Sequence, residues 1–104
     1  DMIDSDNSYI RTRGLTLIAY NAKWDKDNKI DEIIDEYLKH IEDVKPITAR
    51  QCIKLLPMIA KNKPELKCDI VAALQKADTS IYADSMQPLV YKDIQNSLAE
   101  IEKL

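Results

Sequence analysis

The chain has 104 residues, 45% of them apolar, with a single glycine, no phenylalanine and a net charge of −3. That length suits one domain, able to bury roughly two-thirds of its unfolded surface. The scarcity of glycine argues against the tight turns of a sheet-rich fold, the small negative charge gives no global attraction to nucleic acid or anionic membrane, and no apolar run approaches the roughly 20 residues of a membrane span.

Five helices are expected, in chain order. The first runs from about Ser8 to Lys23, with Asp6, Asn7 or Ser8 as N-cap and Ile10, Gly14, Leu15, Leu17, Ile18 and Ala22 as a broad apolar face. A loop over Trp24 to Asn28 follows, and Asn28 is placed to cap the second helix, whose positive end carries Asp31 and Glu32. Ile30, Ile33, Ile34, Tyr37, Leu38 and Ile41 then recur at helical spacing. Pro46 opens the third helix without sacrificing an intrahelical bond, and Ile47, Cys52, Leu55, Leu56 and Ile59 form its expected buried stripe. Pro57, in its interior, predicts a kink. Pro64 starts the fourth helix, with Leu66, Ile70, Val71 and Leu74 inward. A break over Ala77 to Ser80 follows, with Ile81 and Tyr82 tucked under it. Asp84 or Ser85 is expected to cap the last helix, in which Leu89, Val90, Ile94, Leu98, Ile101 and Leu104 complete the core.

The chain also repeats itself at an offset of 37 residues. Ile10-Arg11-Thr12-Arg13-Gly14-Leu15 aligns with Ile47-Thr48-Ala49-Arg50-Gln51-Cys52, and Ile33, Ile34 and Tyr37 align with Ile70, Val71 and Leu74. Such a period marks stacked helical units that bury their apolar faces against each other. The run Tyr9 to Leu15, after the polar turn Asp4-Ser5-Asp6-Asn7, resembles the second helix of a HEAT repeat, and Ile47 to Cys52 is a similar second copy with Thr48 in place of the pattern's arginine. More narrowly, the chain resembles small HEAT-like proteins of Gram-positive bacteria, some of them automatically named after the Suf iron–sulfur assembly proteins. The resemblance implies a short right-handed α-solenoid of HEAT or armadillo type. Residues Asp1 to Asn7 read as the end of a helix and a turn, so the expected domain over 1–104 lacks most of its leading helix, as a fragment would.

Charge is segregated along the chain. Ser8–Trp24 is +3 and Val44–Pro64 is +5, both without acid, while Asp25–Asp43 is −5 and Asp84–Leu104 is −2. The resemblance implies that second helices line one surface, which would bring Arg11, Arg13, Lys23, Arg50, Lys54 and Lys61 to a shared basic groove bordered by Tyr9 and Tyr20. Arginine suits bidentate capture of carboxylate or phosphate. Its alternative role here is to pair with carboxylates of adjacent turns, such as Asp6 and Asp43, and hold the stack together. The expected function is therefore a non-enzymatic module that binds an acidic protein or peptide. A nucleic-acid role like that of HEAT-like DNA glycosylases is the alternative, opposed by the net charge and by too few cations for many phosphate contacts.

Other chemistry is weakly signalled. Asp25 to Asp31 imitates a calcium loop but puts Lys29 where a ligand is needed and Ile30 where glycine is needed. His40 is read as a surface residue, and Cys52 and Cys68 as reduced, buried thiols of a cytoplasmic protein, so no metal or cofactor is expected. Trp24 either closes the core between units or anchors a partner. Leu15, Leu17 and Ile18 could expose an apolar N-terminal end to a second copy.

Overall fold

The helical signals of the sequence become five α-helices in a computed structural model, which describes residues 2–104. They are α1 (Ser8–Tyr20), α2 (Lys29–Leu38), α3 (Pro46–Asn62), α4 (Lys67–Lys76) and α5 (Gln87–Glu102). Short 3-10 turns at Met2–Asp4, Ala22–Trp24, Lys39–Glu42, Pro64–Leu66 and Thr79–Ile81 join or extend them, and the described residues contain no strand.

Local chemistry accounts for most of the boundaries. The Asn7 side chain accepts from the N–H groups of Tyr9 and Ile10, at 2.9 and 3.4 Å, and so caps α1. That helix ends at Tyr20 rather than Lys23, because Asn21 turns its amide side chain back onto the Leu17 carbonyl at 2.8 Å. The expected Asn28 cap is also corrected. Asn28 adopts the left-handed conformation (φ 57°), and the Asp25 carboxylate instead accepts from the N–H groups of Lys29 and Ile30, both at 2.9 Å. Neither Asp84 nor Ser85 caps α5 with its side chain; a backbone turn places the Ala83 carbonyl 3.1 Å from the Gln87 N–H.

The helix α3 packs between α1 and α5. The pairs Arg50–Asp93 and Ile53–Ser97 advance together along α3 and α5. Thr12–Thr48 near the starts of α1 and α3, with Asp25–Lys63 beyond their ends, do the same, so all three run in one direction. The Thr12 and Thr48 hydroxyls meet at 3.0 Å across the first seam; Arg50 and Ser97 reach Asp93 and Ile53 across the second. Tyr37 of α2 is fully buried over the α1–α3 seam, donating its hydroxyl to the Leu15 carbonyl at 2.9 Å, and α4 packs on α3 and α5. Leu15, Cys52, Leu56, Ile59, Ile70 and Ile101 meet between these layers with no exposure. The only glycine serves a close approach: a Cβ at Gly14 would fall 2.7 Å from Met2 Cβ and 3.1 Å from Ile3 Cγ2, where the leading 3-10 turn lies against α1. With Ile3 and Tyr37 beside it, Leu15 is covered, contrary to the expected exposure, whereas Leu17 remains 47% exposed.

Helical geometry persists through Pro57 to Asn62. Proline has no N–H for the carbonyl four residues back, that of Ile53, and this buried oxygen accepts from Ser97 Oγ at 2.7 Å. The lost helical bond is thereby replaced by a bond between helices.

Several expected core positions lie outside it. Ile47 is 76% exposed, because the inward face of α3 runs through Thr48, Ala49, Cys52, Ile53, Leu56 and Ile59. Ile81, Leu89 and Leu104 are exposed, each next to or near a buried neighbour on the true inward face, and Cys68 is exposed on α4. Trp24 does not close the core; it stands outside with the Lys23 ammonium 5.0 Å from its ring centroid.

Candidate functional site

The first question for a basic surface is which of its cations are already neutralised. Arg11 is buried and lies side by side with Asp43, donating from Nε at 2.9 Å and from Nη2 at 2.8 Å. Its Nη1 donates to the carbonyls of Ser5 and Asp6. Asp43 is shared further, with the Lys45 N–H at 2.9 Å and His40 Nδ1 at 2.8 Å, while its carbonyl accepts from the buried Tyr82 hydroxyl. Burial alone would raise the Asp43 carboxyl; the bonds from Arg11, Lys45 and His40 outweigh it and hold the group below the usual carboxylate range. His40, expected at the surface, has a side chain only 15% exposed and belongs to this cluster.

Arg50 is half-buried, with its Nε 2.6 Å from Asp93 Oδ2 on α5. Pairing therefore occupies Arg11 and Arg50, as the stack-holding alternative describes. Arg13, which the 37-residue alignment equates with Arg50, behaves differently. It is exposed, with its guanidinium 5.9 Å from the Tyr9 ring centroid.

A further cation hub lies at the opposite ends of α1 and α3. Lys63 is buried at the end of α3, and its ammonium is within 2.6 Å of Asn28 Oδ1, 2.8 Å of Asp31, 3.1 Å of Glu65 and 3.4 Å of Asp25. The Asp31 carboxylate, followed by those of Glu65 and Asp25, keeps this ammonium charged against the opposing effect of burial. The loop that imitates a calcium site thus surrounds a lysine of the chain itself. Sequence inspection did not single out Lys63 or Asp93, since their partners lie 32 to 43 positions away or are themselves ordinary surface-type residues.

Of the expected groove cations, Arg13, Lys23, Lys54 and Lys61 have no ion pair among the described residues, and all but Lys23 lie in two stripes on the neighbouring helices α1 and α3. On α1, Tyr9, Arg13 and Tyr20 recur at helical spacing and are exposed; on α3, Ile47, Lys54 and Lys61 do the same, with Gln51 and Met58 half-buried between them. At the N-terminal ends of the stripes a cavity of about 320 Å³ opens between the two helices, lined by Tyr9, Thr12, Lys45, Pro46, Ile47 and Thr48. Lys54 faces a smaller polar recess against α5, beside Asp93, Asn96 and Glu100. Other grooves lie elsewhere: one of about 490 Å³ with Asp35, Glu42 and Asp69 between α2 and α4, and one of about 390 Å³ with Leu17, Trp24 and Ile33 at the α1–α2 edge.

Cys52 is fully buried, which raises its thiol well above the ordinary range and removes nucleophilic character at neutral pH. Among the described residues no group of three or more His, Cys, Asp or Glu could hold a metal ion, and no helix is long and apolar enough to cross a membrane. No protein-family model, curated protein or solved structure matches this chain.

Proposed function

We propose that the protein is a non-enzymatic interaction module that binds an acidic protein or peptide on the face formed by α1 and α3. One observation carries this function: the exposed stripes of these two helices combine Arg13, Lys54 and Lys61 with Tyr9, Tyr20 and Ile47, and no carboxylate occurs within Ser8–Trp24 or Val44–Pro64. Unpaired cations attract and orient an acidic partner, and exposed aromatic and aliphatic groups supply contact area that salt does not screen. Arg11 and Arg50 support the face from behind, since their charges are consumed by Asp43 and Asp93.

The scaffold for this face is, in the same proposal, a short right-handed α-solenoid of HEAT type. Three parallel helices side by side, and the equal spacing from Ser8 to Pro46 and from Lys29 to Lys67 at the helix starts, support it. So does Arg11, which ties the Asp6 carbonyl of its own unit to the Asp43 carboxylate of the next.

The test is affinity capture from a cell extract with the wild-type protein and an Arg13→Glu, Lys54→Glu, Lys61→Glu variant. All three positions are exposed, so the substitutions leave the core intact. An acidic protein retained by wild type and lost from the variant is the expected result. Equal capture by both would remove the face from consideration. A signal that disappears on nuclease treatment would transfer it to nucleic acid.

A further inference from the structure

The three most exposed large apolar side chains of the described residues lie close together in the fold. Val44 is 81% exposed, Ile47 76% and Tyr9 66%. Tyr9 and Ile47 form opposite walls of the cavity between the first turns of α1 and α3, and Val44 stands one residue before Lys45 at its rim. Single exposed apolar side chains are ordinary, but several gathered around one concavity make the kind of contiguous apolar patch that marks an interaction site.

The electrostatics of this cavity have one sign. Lys45 belongs to its lining, and the Arg13 guanidinium lies 5.9 Å from the centroid of the Tyr9 ring that forms one wall. The floor is the Thr12–Thr48 hydroxyl pair, with Thr12 also donating to the Ser8 carbonyl. Both helices present their N-terminal, positive ends at this edge, and α3 has no side-chain cap of its own. Among the described residues no carboxylate belongs to the lining, and Asp43, two residues before Lys45, is buried and consumed by Arg11, His40 and the Lys45 N–H. Asp6 lies on the turn ahead of α1 and is outside the lining.

We infer that this cavity is the anchor point of the interaction face and that it takes a bulky aliphatic side chain flanked by carboxylates on a partner peptide. The inference rests on the proposed acidic partner and narrows it. The aliphatic group packs between Tyr9, Pro46 and Ile47, while the flanking carboxylates meet Lys45 and Arg13. A cavity of about 320 Å³ is at the small end of the ligand-binding range and suits a side chain rather than a whole ligand. Anchors of this kind, seated in a pocket and ringed by polar contacts, dominate the energy of an interface.

The experiment is an amide NMR titration with two synthetic probes: a short peptide of Asp and Glu around one central Leu, and the same peptide with Ser in place of Leu. Wild type is compared with Ile47→Ser, a surface change that leaves the fold intact, and with the Arg13→Glu, Lys54→Glu, Lys61→Glu variant. The Leu peptide is expected to shift the amides of Tyr9, Thr12, Ile47 and Thr48 and to bind about tenfold or more tightly than the Ser peptide, with Ile47→Ser abolishing that difference. Equal binding of both peptides by wild type, lost in the charge variant, would overturn the anchor cavity while leaving an acidic partner in place. Absence of binding by either peptide at low salt would overturn it as well, leaving the extract capture to decide the wider function. Shifts centred on Leu17 and Trp24 would move the anchor to the α1–α2 edge. The same amides shifting with protein concentration alone would assign the cavity to a second copy.

Discussion

Asp43 shows how a single buried carboxylate can hold several segments at once. Its two oxygens and its carbonyl collect Arg11 from α1, His40 from the turn after α2, the N–H of Lys45 ahead of α3, and Tyr82 from the turn before α5. Removing the arginine leaves a buried charge with fewer partners, a more damaging change than the pair's net worth suggests. We expect Arg11→Met to cost about 3 kcal/mol at pH 7, a large share of the stability of a small domain, read as a lowered urea midpoint. The pH dependence follows from the sign of the shift. Because the folded-state pKa of Asp43 is depressed, its contribution is present above the unfolded carboxylate value, about 3.9, and is lost as pH falls through the lower folded value. Asp25, held down by the Ile30 and Lys29 N–H groups and by Lys63 against the effect of burial, acts in the same direction. The gap between wild type and Arg11→Met should therefore close as the pH is lowered from about 5 to about 2. A constant gap would show that packing of the guanidinium, not its charge, carries the effect.

At the scale of elements, the seam between α3 and α5 depends on a proline. The missing N–H at Pro57 frees the Ile53 carbonyl, and Ser97 supplies the bond from the neighbouring helix. Ser97→Ala leaves that oxygen buried without a donor and should cost about 1–2 kcal/mol. In a Pro57→Ala background the helix recovers its own N–H, so the same serine substitution should cost less. A double-mutant cycle on thermal or urea unfolding reads this coupling directly, and additive effects would show that the serine bond and the proline are unrelated. The proline was legible in the sequence as a disturbance of α3, but its remedy was not. The serine that supplies the bond lies 44 residues from the carbonyl, at a distance where no local pattern relates the two.

At the scale of the whole molecule, the 15 basic and 18 acidic residues are unevenly spread: α1 and α3 carry no carboxylate, whereas α2, α4 and α5 carry both signs. The helices α1 and α3 present Arg13, Lys54 and Lys61, while the α2–α4 groove mixes Asp35, Glu42 and Asp69 with Lys39 and Lys76, in a body measuring 41 × 32 × 17 Å. Binding on the α1–α3 face should accordingly combine a part that salt weakens with a part that it does not. Raising ionic strength from about 0.1 M to about 1 M shortens the screening length from about 10 to about 3 Å. Affinity for the Leu-centred acidic peptide should fall over that range yet keep its advantage over the Ser-centred one, as a fluorescence titration would show. Loss of that advantage with salt would mean that the apolar cavity contributes nothing of its own.

The sequence alone determined the helical class, the approximate position of every helix and the segregation of charge, because caps, prolines and apolar spacing act within a few residues of themselves. It also placed Arg13, Tyr20, Lys54 and Lys61 among candidates for a face, and the structure leaves all four exposed. Only the tertiary structure decided that Arg11 and Arg50 are consumed by Asp43 and Asp93, that Lys63 fills the loop resembling a calcium site, and that Ile47 borders a cavity instead of joining the core. The reason is physical: whether a charge is free or an apolar group is covered depends on what packs against it, and those partners arrive from distant parts of the chain.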